Sequence, residues 1–472
     1  MTRRRRSAWL LAASVAIFAL LSVAAVAAVM RALPDGPLPA PASSASPSLM
    51  TPSEAPVAPS PTASASPSAT PAARPSESAT CSIAALAADP RLRNFEGYVM
   101  NAATGERLFS RHGDTPARPG SVLKLLTSSA AVAVLGADHR IETRVVATPG
   151  TIVLVGGGDP TLSRLPAGQQ SVYAGAPKLS DLVKRALDAY AERFGGTPVE
   201  HVIVDSTLWD PADSWDPSVP DKERSQGYMS KTTALQLDGD RANPKAGVSP
   251  RSADPVAVAA KAFAEDLGLG IPAVKGTAPA GAVTLATVRS QPLKTLIKQM
   301  LMTSDNTLAE HVARLVSLKT GMDGSRASLA TAIPRALRGL GLDTSGVTVR
   351  DGSGESELNG VAPSFVSRLV AKAMSGAQGL DVVYAGMPVA GQSGSLANRF
   401  TGANAVARGA VTAKTGWMDT AYTLAGIVRA EDGTRLAFAF YAIRPGIGSN
   451  ATTALDTLVT GLYTCGSRLA DD

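Results

Sequence analysis

Cysteine is nearly absent from this sequence: Cys81 and Cys465 are the two among 472 residues. Neither lies in a motif-like setting, so a cysteine nucleophile is not expected. Excess charge is missing too. The formal net charge is +6, yet five arginines and no acid fall within residues 1–31. The other 40 basic residues face 39 acidic ones, which removes the basic footprint of a nucleic-acid-binding protein. The four histidines, His112, His139, His201 and His311, lack metal-ligand spacing. No metal or organic cofactor is implied. "GGGDPTL" is not followed by Gly-Lys-Ser/Thr, so it reads as a structural turn and not a phosphate loop.

What is present begins with an export signal. "TRRRRS" precedes an apolar run from Ala8 to Met30, 23 positions long. That length can span a bilayer, and the arginines favour a cytoplasmic N-terminus. The alternative is a signal peptide cleaved near Ala25-Val26-Ala27. Both readings export the protein: it is expected outside the cytoplasm, anchored to the cell membrane by residues 8–30, or secreted into the wall after cleavage. Residues 31–80 hold 12 of the 33 prolines, with serine and alanine filling most of the rest. They read as an extended linker. In an oxidising compartment, one bridge between Cys81 and Cys465 is the economical reading, with two unpaired buried cysteines as the alternative.

Hydrophobic residues make up 45% of the chain, enough for a packed core, and its length has room for more than one domain. "SIAALAADPRL" reads as a short helix, and "NFEGYVMNAATGERLFSR" as two strands around Thr104-Gly105. A helix begins at Ser121, apolar on all sides and therefore central and buried. Gly136 ends it. Strands fall within 141–158 and in "VEHVIVDS", and helices at 178–194 and 254–267. Pro211 to Lys245 is irregular. Trp209 and Trp215 are expected to pack and not to line a binding groove. Further helices run from Pro292 to about Met302 and from about Asn306 to Lys319. "GAVTAKTGW", "AYTLAGIVRA" and "RLAFAFYAI" read as three antiparallel strands, with a closing helix at 450–464. Strands and a helix from each end would join around helices from the middle.

Three short motifs occur in order: Ser121-Val122-Leu123-Lys124, Ser304-Asp305-Asn306 and Lys414-Thr415-Gly416. Residues i and i+3 share a helix face, so Lys124 can reach the Ser121 hydroxyl. Serine needs a base, and a lysine kept neutral by burial or a nearby cation can serve. Lys414 is the natural second cation. Ser304 can relay a proton, Asn306 can hold a substrate amide, and Lys414 with Thr415 can bind a carboxylate. Backbone N–H groups of Ser121 and Trp417 can form an oxyanion hole. Gly416, Trp417 and Met418 complete the expected substrate-binding set.

With "RPGSVLKLLTSSAAVAVLG", "GGGDPTL", "SDNTLAEHVARL", "DGSGES", "MPVAGQSGSLANRF" and "VTAKTGW", the chain resembles the class C low-molecular-mass penicillin-binding proteins, the D-alanyl-D-alanine carboxypeptidase/endopeptidases of serine-peptidase family S13. The trio itself is described for penicillin-binding proteins and β-lactamases. The resemblance implies an α/β (α+β) fold of the DD-peptidase/β-lactamase type, an antiparallel sheet flanked by helices. It implies a body from 81–145 and 285–472, and an α/β insert at 146–284. It implies action on peptidoglycan stem peptides through an acyl-enzyme on Ser121, with β-lactams as covalent inhibitors. The departures from the pattern are Trp417 after Lys-Thr-Gly, Glu357 where arginine is common and Ser393 where aspartate is common. The rival readings are a β-lactamase, for which no deacylating carboxylate can be assigned, and a non-catalytic wall-binding or β-lactam-sensing protein.

Overall fold

The computed structural model describes residues 80–470. The apolar run Ala8–Met30 and the linker 31–80, save its last residue, lie outside them. In chain order the elements are β1 (Asn94–Asn101), β2 (Arg107–Arg111), α1 (Leu123–Leu135), β3 (Glu142–Thr148), β4 (Thr151–Val155), α2 (Leu179–Phe194), β5 (His201–Asp205), α3 (Pro255–Leu267), β6 (Ala273–Lys275) and β7 (Val283–Arg289). Then come α4 (Leu293–Thr303), α5 (Asn306–Lys319), α6 (Leu329–Gly339), α7 (Pro363–Met374), β8 (Val411–Met418), β9 (Ala421–Arg429), β10 (Arg435–Ile443) and α8 (Ala451–Cys465).

The first sheet runs β2-β1-β10-β9-β8, all antiparallel. Its central strands are apolar on both faces, and the alternation shows why. Ala425, Ile427, Ala437, Ala439 and Tyr441 face the core shared with α1 and α7. Leu424, Val428, Leu436, Phe438, Phe440 and Ala442 face the core shared with α8. Successive strand residues point to opposite faces, so a strand covered on both sides needs apolar residues throughout. The hairpin before it turns where Asn101 Oδ1 accepts from Ala103 N at 2.9 Å and Gly105 takes a φ of +79°. Cys81 and Cys465 are bridged, with Cα atoms 5.4 Å apart. Cys81 N also donates to Arg468 O.

α1 is the hub. Every residue from Leu123 to Val132 is buried, because α5, α6, α4 and α7 all pack around it. The second sheet runs β6-β5-β4-β3-β7 and mixes parallel with antiparallel pairing. α2 covers it with Leu179, Leu182, Val183, Ala186 and Tyr190, the stripe expected of one helix face. Each leucine or valine of this stripe contributes roughly 1.5–3 kcal/mol on full burial. The expected seams at 145/146 and 284/285 fall inside β3 and β7. Among the described residues, no helix is long and apolar enough to cross a membrane.

Candidate active site

Ser121, the expected nucleophile, stands on a short 3-10 turn, Gly120–Val122, that runs straight into α1. The turn is pinned against the first sheet. Thr423 Oγ1 donates to Pro119 O at 2.6 Å. Gly416 lies so close that a Cβ there would meet Pro119 O at 2.8 Å and Ser121 N at 3.0 Å. The glycine of Lys-Thr-Gly is thus required by the approach of β8 to the backbone of Ser121.

Lys124 is fully buried, and its Nζ has three partners. Ser121 Oγ is at 2.7 Å, Asn306 Oδ1 at 2.6 Å and Ser353 O at 2.8 Å. Two of these are carbonyl oxygens and can only accept. A neutral amine has two N–H bonds and one lone pair. Both N–H bonds then go to the carbonyls, and the lone pair is left to accept the Ser121 hydroxyl proton. Burial lowers the Lys124 pKa to about 8, against the opposing pull of Glu355, Asp351, Glu310 and Asp305. Of the two causes open from the sequence, burial or a nearby cation, burial is the chief one at Lys124, and it is Lys414 that is held well below the usual lysine range, by burial first and then by Lys124.

Ser304 ends α4 in the left-handed region, φ 59° and ψ 40°. A non-glycine residue costs about 1–3 kcal/mol there. What offsets it is Asp305, which caps α5 by accepting from Leu308 N at 2.9 Å. The other oxygen of Asp305 accepts from Tyr173 Oη and Arg241 Nη2, both at 2.8 Å. Burial would raise this carboxyl, but Arg241 and Arg251 hold it below the usual carboxylate range. So fixed, Ser304 Oγ accepts from Lys414 Nζ at 2.9 Å. Lys414 Nζ also donates to Thr415 O at 2.7 Å.

β8 is an edge strand, and its outer edge is only partly covered. Ala413 N donates to Pro388 O on that side, and Val411 O accepts from Ala390 N. Strand residues two apart point the same way, so the N–H groups of Thr415 and Trp417 also face that edge. The Trp417 side chain is 51% exposed. Thr415 Oγ1 is 2.7 Å from Ser395 Oγ. Met418, also expected at the substrate, has a buried side chain. A cavity of about 510 Å³ opens beside Ser304 and Asn306, with Tyr173, Tyr228, Val248 and Met302 in its wall.

The structure therefore brings Ser121, Lys124, Ser304, Asn306, Lys414, Thr415 and Gly416 to one place. Residues 79–250 and 232–460 match the D-Ala-D-Ala carboxypeptidase 3 (S13) family. A carboxypeptidase of Mycobacterium tuberculosis is 36% identical over 401 residues, covering 82% of this chain and 84% of that protein. Carboxypeptidase DacB of Mycolicibacterium smegmatis is 36% identical over 395 residues, covering 81% and 83%. The chain belongs to the S13 family. It is a serine hydrolase of the D-Ala-D-Ala carboxypeptidase class. Its fold is similar to penicillin-binding protein 4 of Haemophilus influenzae, with a TM-score of 0.65 at 18% identity, over 79% of this chain and 96% of that one. The latter has also been solved with a β-lactam bound.

This family member carries groups at the site that its sequence did not announce. Ser353 contributes only a carbonyl, which no residue type encodes. Glu355, within "DGSGES", places Oε1 2.5 Å from Asn306 Nδ2. From the sequence no deacylating carboxylate can be assigned; the structure sets this carboxylate against Asn306. Glu357 lies at the rim, paired with Arg118 at 3.0 Å and accepting from Thr420 Oγ1 at 2.7 Å. Ser393 Oγ only accepts from Val389 N, within its own turn.

Proposed function

We propose that the protein is a peptidoglycan DD-peptidase in which Ser121 is the nucleophile and Lys124 its base. Neutral Lys124 takes the Ser121 proton as Oγ attacks the carbonyl of a D-Ala-D-X bond. The oxyanion sits between the Ser121 and Trp417 N–H groups, where each donor is worth about 3 kcal/mol. Ser304, held by Lys414, passes a proton to the departing amine. Lys414 and Thr415 bind the terminal carboxylate, and Asn306 steadies the acyl side. Water then attacks the ester and the proton returns to Ser121. Removing a terminal D-alanine is carboxypeptidase action; cutting a cross-link is endopeptidase action. β-Lactams acylate Ser121 because their strained amide takes the place of that bond.

The observation that carries this reading is the Lys124 amine, 2.7 Å from Ser121 Oγ with two carbonyls as its other partners. The test is intact-protein mass spectrometry with penicillin beside D-alanine release from a muropeptide. Wild type gains the penicilloyl mass and frees D-alanine. A Ser121→Ala protein that still acylates would sink the assignment. Acylation with no D-alanine release would favour a sensing role, and rapid turnover of a chromogenic cephalosporin a β-lactamase.

We also propose that the body works outside the cytoplasm, held at the membrane by residues 8–30, with 31–80 as the spacer. Cell fractionation and N-terminal sequencing of the mature protein test this. A soluble, trimmed product points to the cleaved form.

A further inference from the structure

The chemistry above leaves Glu355 without a task. Asn306 has to present one particular end of its amide to Lys124. Its Oδ1 accepts from Lys124, and its Nδ2 donates to Glu355. The two ends of a carboxamide are nearly equal in size, so sterics alone do not choose between them. Glu355 does choose. A flipped amide would set Nδ2 hydrogens against the Lys124 N–H groups and Oδ1 against a carboxylate.

The loop that presents Glu355 is fixed from three sides. Asp351 accepts from Ser353 N, Gly354 N and Ser356 N at 3.1, 2.6 and 2.5 Å. Thr127 of α1 donates to Gly352 O at 2.6 Å. Glu310 of α5 accepts from Gly352 N at 3.0 Å. Gly354 is pressed onto the Gly120 carbonyl with φ of +90°, where a side chain has no room. The charged groups around the Glu355 carboxyl are Lys124 from α1, Glu223 from the short helix Lys222–Ser225, and Asp351 from its own loop. Burial pushes the group up to about 7, while Lys124 pulls it down.

We propose that Glu355 is a positioning residue: its carboxylate locks the Asn306 amide with Oδ1 toward Lys124 and leaves the second Nδ2 hydrogen for a substrate carbonyl. This rests on Lys124 acting as the base. Two consequences separate. The acceptor oxygen sets the amide; the negative charge helps Lys124 keep its proton, and Glu355 is the foremost carboxylate doing so. Glu355→Gln keeps an acceptor and removes the charge. Glu355→Leu removes both.

The experiment measures the rate of penicillin acylation from pH 5.5 to 10 for wild type, Glu355→Gln and Glu355→Leu. Thermal melts confirm that each variant is folded. Both variants move the half-point of the profile down by half a unit or more, because Lys124 loses its proton more readily. Glu355→Leu loses tenfold or more of the high-pH plateau, and Glu355→Gln recovers most of that loss. A folded Glu355→Leu with the wild-type plateau overturns the proposal, as does a Glu355→Gln profile that does not move. So does a Glu355→Gln protein that acylates as wild type but holds the acyl group many times longer, since Glu355 would then serve hydrolysis directly. A Ser121→Ala protein that still acylates defeats the underlying reading instead. If Ser121→Ala is inert and Glu355→Leu behaves as wild type, only the Glu355 proposal falls.

Discussion

Raising the pH should switch this enzyme on, and the structure sets where. Lys124 sits near 8 because burial disfavours its charge. An ordinary lysine, near 10.4, is neutral in roughly one molecule in 2,500 at pH 7. With the value near 8, about one in eleven is neutral, a gain on the order of 200-fold, or about 3 kcal/mol of avoided deprotonation cost. A general base works deprotonated, so with Lys124 in the proposed role the acylation rate climbs as pH rises through 8. From pH 7 to the plateau the gain is about tenfold, and half of the plateau is reached near pH 8. The assay is the pseudo-first-order rate of acylation by a fluorescent penicillin, quenched and read on the intact protein. Ser121→Ala supplies the blank at each pH. A half-point at pH 10 or above would show that Lys124 is not desolvated in the working enzyme. A rate that falls between pH 7 and 9 would show that the charged amine is the active form. Either result refutes the base assignment.

Three further outcomes follow from the packing. Asp305→Asn or Arg241→Met breaks an ion pair whose side chains are 4% and 5% exposed, and should cost about 3–5 kcal/mol and slow acylation, read by calorimetry and by the same assay. Opening the Cys81–Cys465 bridge by reduction or by serine substitution should lower the melting temperature by several degrees. The chain-entropy limit for so long a loop is on the order of 5 kcal/mol, and acylation at 25 °C should persist. Glu96 has its carboxyl pushed up to about 7 by burial. The folded protein then binds more protons than the unfolded chain between about 4.5 and 7, so this group costs stability as pH rises through that window. Glu96→Gln should melt with wild type below that window and above it at pH 8. A constant offset would show that the group titrates normally.

Much of the site could be read from residue types because its parts are local. Ser121 and Lys124 share one helical turn, and Ser304 and Asn306 flank a helix cap. With apolar residues on every side, α1 announced its own burial. The residues that finish the site are distant in sequence and chemically quiet. The Ser353 carbonyl reaches Lys124 across 229 positions, and nothing in a serine codes for that. The parity that turns the Trp417 N–H outward depends on which side of β8 the segment 388–390 covers. α6 carries Pro334 in its interior, which masks a helix pattern, and β6 is three residues long. Both burial and a second lysine could be read for Lys124, but which of them dominates depends on depth, which motif spacing does not reveal.

The bridged ends give the body the topology of a closed ring, opened where Cys81 and Cys465 meet. Because those ends are 5.4 Å apart, a short peptide could join them and the ring could be opened elsewhere. The exposed turn at Gln378 and Gly379 is one such place. The permuted chain would read Lys-Thr-Gly first, then Ser-Val-Leu-Lys, then Ser-Asp-Asn, with every distance in the site unchanged. The serial order of the three motifs would then be a record of where the chain happens to be cut, and the catalyst would be indifferent to it.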